Sequence, residues 1–150
     1  MYFVDRKKIE EALAYMEKCL TLFEERDSWS QSIERLALER ISQTVIESII
    51  DVGNNMIDGF IMRDPGSYED IIDILDDEKV IKPEHKDPLK EIIRLRKVLV
   101  QQYSSIDHEN LHRTLQGNLD VLKQFPPEVR SYLTKELGPV SAFLPEDDKH

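Results

Sequence analysis

Arg96 and Tyr103 lie in the stretch LKEIIRLRKVLVQQYSSID, residues 89 to 107, on a face whose other members are apolar. At 100° per residue Leu89, Ile92, Ile93, Leu95, Leu99 and Val100 share one broad arc, the pattern of a helix packed into a core. A guanidinium keeps its charge wherever it is placed. Arg96 therefore needs a carboxylate partner, or a stem that packs while its head reaches water, or a face that opens onto a groove or a subunit boundary. The opposite arc carries Lys90, Arg94, Lys97 and Gln101, a polar stripe with three positive charges. From Lys79 to Lys97 there are seven Lys or Arg against three acids, a local +4 in a chain of net charge −10, which leaves −14 elsewhere. The overall charge argues against a general nucleic-acid coat protein. A single basic stretch on an acidic body is instead what a phosphate-contacting site looks like, with Lys90, Arg94 and Lys97 as its cations and salt-sensitive attraction as its signature.

The same frame, Arg96-Lys97-Val98-Leu99-Val100-Gln101-Gln102-Tyr103 followed by Ser-Ser-Ile106-Asp107, resembles a motif of the HepT-like ribonuclease family within the HEPN superfamily. That family has an Arg, four residues, a His, one residue and a Tyr near the end of its last core helix. Here Gln101 stands where the family has His. The resemblance implies metal-independent RNA cleavage with no cofactor: a 2′-hydroxyl attacks the adjacent phosphodiester, a proton is moved, and negative charge grows on the phosphorus oxygens. Arg96 can hold that charge. An amide does not titrate near neutral pH, so Gln101 cannot act as general acid or base, and the implied activity is weakened or lost. The resemblance also implies a homodimer, a small nucleotidyltransferase antitoxin as partner, and AMP attached to Tyr103. It runs from about residue 5 to residue 125 and includes the segment IESIIDVGNNMI. The competing expectation is a non-catalytic dimeric helical module that binds RNA or a protein partner.

Several helices must position these groups. Residues 5 to 26 form a first amphipathic helix, with Ile9, Leu13, Met16, Leu20 and Phe23 on one face and Cys19 among them as core filler. Asp27 to Ser30 supply a turn and an N-cap, and Trp29 closes the end of the bundle. A long second helix, about 30 to 62, has Ile33, Leu36, Ile41, Val45, Ile49, Val52, Met56 and Phe60 as its apolar face; Gly53 and Gly59 mark close packing or a bend. Glu47, Asp51, Asn54, Asn55 and Asp58 run beside that face, either as a solvated acidic edge or with Glu47 or Asp51 neutralising Arg96. Ser67 opens a short helix that buries Ile71, Ile72 and Leu75, and Val80 to Pro88 lead into the motif helix. Asp107 caps a helix lined by Leu111, Leu115, Leu119, Leu122 and Phe125, and Phe125-Pro126-Pro127 breaks it. A short helix from about 128 to 137 ends at Gly138-Pro139, and in the tail beyond it Phe143 and Leu144 are the residues that could dock.

One hundred and fifty residues, 40% of them hydrophobic, suit an all-α, up-and-down bundle of four or five helices over 5–125 with a C-terminal extension over 126–150. The charged N-terminal stretch lacks a secretory signal or membrane span, so the expected location is cytoplasmic and no membrane partner is expected. There is no HExxH, cysteine pair, P-loop or GxGxxG, hence no expected metal or nucleotide cofactor. His85, His108 and His112 read as ordinary surface or capping histidines; the last two, one turn apart, make a metal pair without a third ligand.

Overall fold

The computed structural model describes residues 2–138, and among them there are six α-helices and no strand. They are α1 (Arg6–Glu24), α2 (Ser32–Gly59), α3 (Tyr68–Asp77), α4 (Lys86–Gln101), α5 (His108–Gly117) and α6 (Leu119–Leu137), with a 3-10 turn at Pro83–His85 before α4. This is an all-α bundle, as the periodicity predicts. The long α2 is its spine, packing against α1, α3, α4 and α5, while α6 closes over α1.

Local chemistry sets most of the boundaries. Asp5 accepts the Lys8 amide, Ser67 the Asp70 amide and Asp107 the Asn110 amide, satisfying donors that the first helical turn leaves free. For α2 the cap is Gln31 rather than the expected Ser30, its backbone N–H donating to Glu34 Oε1 at 3.0 Å. The predicted stripe of α1 is buried throughout, and Trp29 is buried at the bundle end. Ile33 and Leu36 differ: they are 80% and 63% exposed, because the first turns of α2 extend past the core and Leu38 is the first fully buried position. Gly53 serves close packing. A Cβ there would stand 2.3 Å from Ile71 Cγ2, so α2 and α3 touch along a line that only a glycine permits.

Two expectations about the C-terminal third are corrected. The single helix predicted from Asp107 to Phe125 divides at Asn118, whose backbone leaves helical geometry (φ −112°, ψ 11°) and whose Nδ2 donates to Glu91 Oε1 on α4 and to the Thr114 carbonyl. Conversely, Pro126 and Pro127 break nothing, for α6 runs through both. Interior prolines withhold N–H donors from the carbonyls one turn back, at a cost of about 3 kcal/mol each in an isolated helix. Here tertiary contacts offset it: Phe125, Pro126, Val129 and Leu133 are buried, and Arg130 binds Glu10 and Glu17 of α1 at 2.6 and 2.8 Å. Gly138 does end α6, in a backbone conformation (φ 85°) that suits glycine. The expectation for Phe143 and Leu144 lies outside the described residues.

Candidate functional site

The motif helix buries Leu89, Ile92, Ile93, Leu95 and Leu99 as its periodicity predicts, whereas Val100 is exposed. At Arg96 the arc meets α2 and α3. Arg96 Nε donates to Glu47 Oε1 at 2.7 Å, and the guanidinium carbon lies 4.5 Å from the centroid of the Tyr68 ring. Of the two predicted partners, Glu47 holds Arg96; Asp51, one turn further along α2, is exposed, and its backbone carbonyl accepts the Asn55 amide. The pair is half-buried rather than buried, with side-chain exposures of 29% for Arg96 and 37% for Glu47. Its stem packs and its head meets both a carboxylate and solvent. The Glu47 hydrogen bond pushes the Arg96 pKa further up, so the cation is permanent.

The three cations of the opposite arc do not act alike. Lys90 Nζ lies 2.7 Å from Asp73 and Arg94 reaches Glu69 at 2.9 Å, both acids belonging to α3. Glu69 and Asp73 are four residues apart, as are Lys90 and Arg94, so two adjacent helices present matched ladders and neutralise each other. Lys97 is exposed and has no ion-pair partner among the described residues. The local +4 therefore overstates the free positive charge on α4.

Gln101 is the last residue of α4 and Tyr103 lies in the connection beyond it, both exposed, Tyr103 at 71%. Arg96, Gln101 and Tyr103 thus share one end of α4 without hydrogen bonding to one another. Five residues turn the helix by about 140°, which sends Arg96 toward α2 and Gln101 toward solvent. Beside the Arg96–Glu47 pair a shallow cavity of about 270 Å³ is lined by Glu47, Asp51, Tyr15, Gln43 and Arg40. Arg40 has no ion-pair partner among the described residues and was not singled out by the sequence, because a lone arginine on a long amphipathic helix carries no periodic signal.

The histidines also depart from expectation. His85 is buried, its Nδ1 2.9 Å from Glu128 Oε1 on α6, and the other Glu128 oxygen accepts the Lys82 amide. His108 Nε2 lies 2.6 Å from Glu39 Oε2 on α2. Among the described residues no group of three or more side chains converges as a metal site would require.

The six-helix bundle has the fold of a solved HEPN toxin. The solved structure of tri-AMPylated Shewanella oneidensis HEPN toxin in complex with MNT antitoxin superposes with a TM-score of 0.73 over 82% of this chain and 96% of that one, at 20% identity, a likeness of fold. The sequence goes further: residues 9–129 match the family model Ribonuclease HepT-like, and the chain belongs to that family. It is 54% identical over 143 residues to the Bacillus subtilis (strain 168) protein named "Putative RNase YutE", covering 95% of this chain and 99% of the relative. A solved Bacillus subtilis YutE structure, described as a cytosolic protein of unknown function, has a TM-score of 0.92 at 55% identity, covering 95% of this chain and all of that one. No helix among the described residues is long and apolar enough to cross a membrane.

Proposed function

We propose that this chain is a toxin-type ribonuclease, acting in the cytoplasm on RNA without metal or cofactor, whose cleavage at the motif site is weakened by Gln101. The observation that carries the reading is the Arg96 site. A permanent cation, oriented by Glu47 and Tyr68, stands at the solvent-facing end of α4 where Gln101 and Tyr103 are open. Such a cation stabilises the charge that grows on a phosphodiester during attack by the 2′-hydroxyl, and Lys97 and Arg40 extend the contact to neighbouring phosphates. No proton carrier accompanies it, since Gln101 does not titrate.

The apolar groups left open by the bundle, Ile33 and Leu36 on α2 with Val100 and Tyr103 near the end of α4, support a homodimer. The exposed phenol of Tyr103 suits modification by a nucleotidyltransferase antitoxin: its oxygen bonds the α-phosphorus of ATP, pyrophosphate leaves, and the phenolic proton goes to base. The Gln101 position favours one second reading, a dimeric module that binds RNA or a protein partner without cutting.

The test is the Gln101→His variant on a single-stranded RNA oligonucleotide. General acid and base catalysis contributes about 10² to 10⁴ in rate, so the variant should cleave faster by up to that factor. Robust cleavage by the native chain, unchanged in Gln101→Ala, would show that the motif site does not operate. RNA binding without cleavage in either protein would establish the non-catalytic module.

A further inference from the structure

Resting on that ribonuclease reading, we propose that residual RNA cleavage by the native chain runs through a second constellation, His108 and His112 with Arg35, at the end of the bundle where the α1–α2 connection meets α5. These residues line a cavity of about 160 Å³ together with Trp29 and Ser28. Each wall supplies something that phosphodiester chemistry uses.

His108 is the first residue of α5, and its Nε2 lies 2.6 Å from Glu39 Oε2. When the Nε2 proton is donated to that carboxylate the tautomer is fixed, and Nδ1 keeps its lone pair as a general base. His112 follows one turn later on the same face. Its ring stands edge-on to Phe23 at 5.5 Å, and Phe23 stacks on Trp29 at 6.1 Å and 8°, so the second imidazole is held by the core rather than left to solvent. Arg35 has no ion-pair partner among the described residues and brings a cation to the same wall. Trp29, 94% buried, also lines the cavity, and its indole N–H is itself buried with no acceptor among the described residues. The charged groups facing the two histidines are Glu39 and Arg35 from α2, Asp27 from the connection and Glu109 from α5.

The reaction balances on these groups alone. The 2′-oxygen bonds phosphorus as its proton passes to His108 Nδ1; the bond from phosphorus to the 5′-oxygen breaks as the His112 imidazolium gives that oxygen a proton. The products are a 2′,3′-cyclic phosphate and a 5′-hydroxyl, with Arg35 opposite the equatorial oxygens. Glu39 and Glu47, which hold His108 and Arg96, are eight residues apart on α2, about 12 Å along its axis and about 80° around it. The two sites therefore contact different phosphates of one strand, Arg96 binding and the histidine pair cutting.

The experiment compares the native chain with His108→Gln, His112→Gln and Arg96→Ala on a defined single-stranded RNA oligonucleotide, following rate, product ends, RNA affinity and the dependence of rate on pH. Each histidine variant should lose about 10² to 10⁴ in rate at unchanged affinity, and the native products should carry cyclic phosphate ends. The native rate should depend on pH, and each histidine variant should alter that dependence. If a glutamine variant melts well below the native chain, Glu39→Gln serves instead. It leaves both rings in place, removes the charged acceptor that fixes the His108 tautomer, and should slow cleavage while leaving affinity unchanged. Cleavage at the native rate in both histidine variants, lost only in Arg96→Ala, would overturn the inference and leave the ribonuclease reading standing. A folded native chain that neither cleaves nor binds RNA at any pH tested would overturn both.

Discussion

Replacing Arg96 with alanine removes two interactions at once, and the geometry sets how much each contributes. The ion pair with Glu47 is short, 2.7 Å, but at 29% and 37% exposure it is screened by solvent and contributes about 0.5 to 1 kcal/mol. The guanidinium over Tyr68 at 4.5 Å adds about 0.5 to 1 kcal/mol, as partly solvated cation–π contacts do. Glu47 stays solvated after the change, so the penalty of about 3 to 5 kcal/mol for breaking a fully buried pair does not apply. Arg96→Ala should thus destabilise by about 1 to 2 kcal/mol, read as a lower urea midpoint at unchanged slope, or a fall in Tm of about 2 to 8 °C for a domain of this size. A double-mutant cycle with Glu47→Gln should return a coupling that shrinks as salt is raised. A loss above about 3 kcal/mol, or a coupling indifferent to salt, would refute the half-buried placement of the pair.

Light scattering at micromolar concentration should return about twice the 17.6 kDa chain mass, and Leu36→Glu with Val100→Glu should return it to the monomer. Gly53→Ala should destabilise by about 1 to 3 kcal/mol, measured in urea, because Ile71 is fully buried and must move. The Glu17 carboxyl is held below its ordinary value of 4.5 by its hydrogen bond to Arg130. Its contribution to stability is complete above that value and is lost as pH falls through the lower folded value, so Arg130→Ala should flatten the acid limb of stability below about pH 4.5.

Helix periodicity made α1, α3 and most of α4 legible because each buries one continuous stripe, and the caps at Ser67 and Asp107 were equally plain because capping is local. What stayed hidden depended on partners remote in the chain. Pro126 and Pro127 read as a break until the contacts of α6 with α1 are known, and Asn118 read as mid-helix until its bond to Glu91 is known. At the candidate site, reasoning from charge narrowed the partner of Arg96 to Glu47 or Asp51 without choosing between them, while the pairing of Lys90 and Arg94 with α3 needed the register between two helices. Ile33 and Leu36 carried the right period but lie beyond the end of the core, which periodicity cannot measure.

The grip of Arg130 on Glu10 and Glu17 joins residues 120 and 113 positions apart, and Phe125 and Val129 beside it are fully buried. Contacts of such sequence separation must await most of the chain. During synthesis, α1 and α2 emerge long before the helix that covers them, so an apolar flank of α1 stays open until residue 133 has been made. A nascent chain therefore exposes, until then, apolar surface of α1 that the finished fold buries. The Arg96 site, assembled from α2, α3 and α4 alone, takes shape on a body still waiting for its last helix.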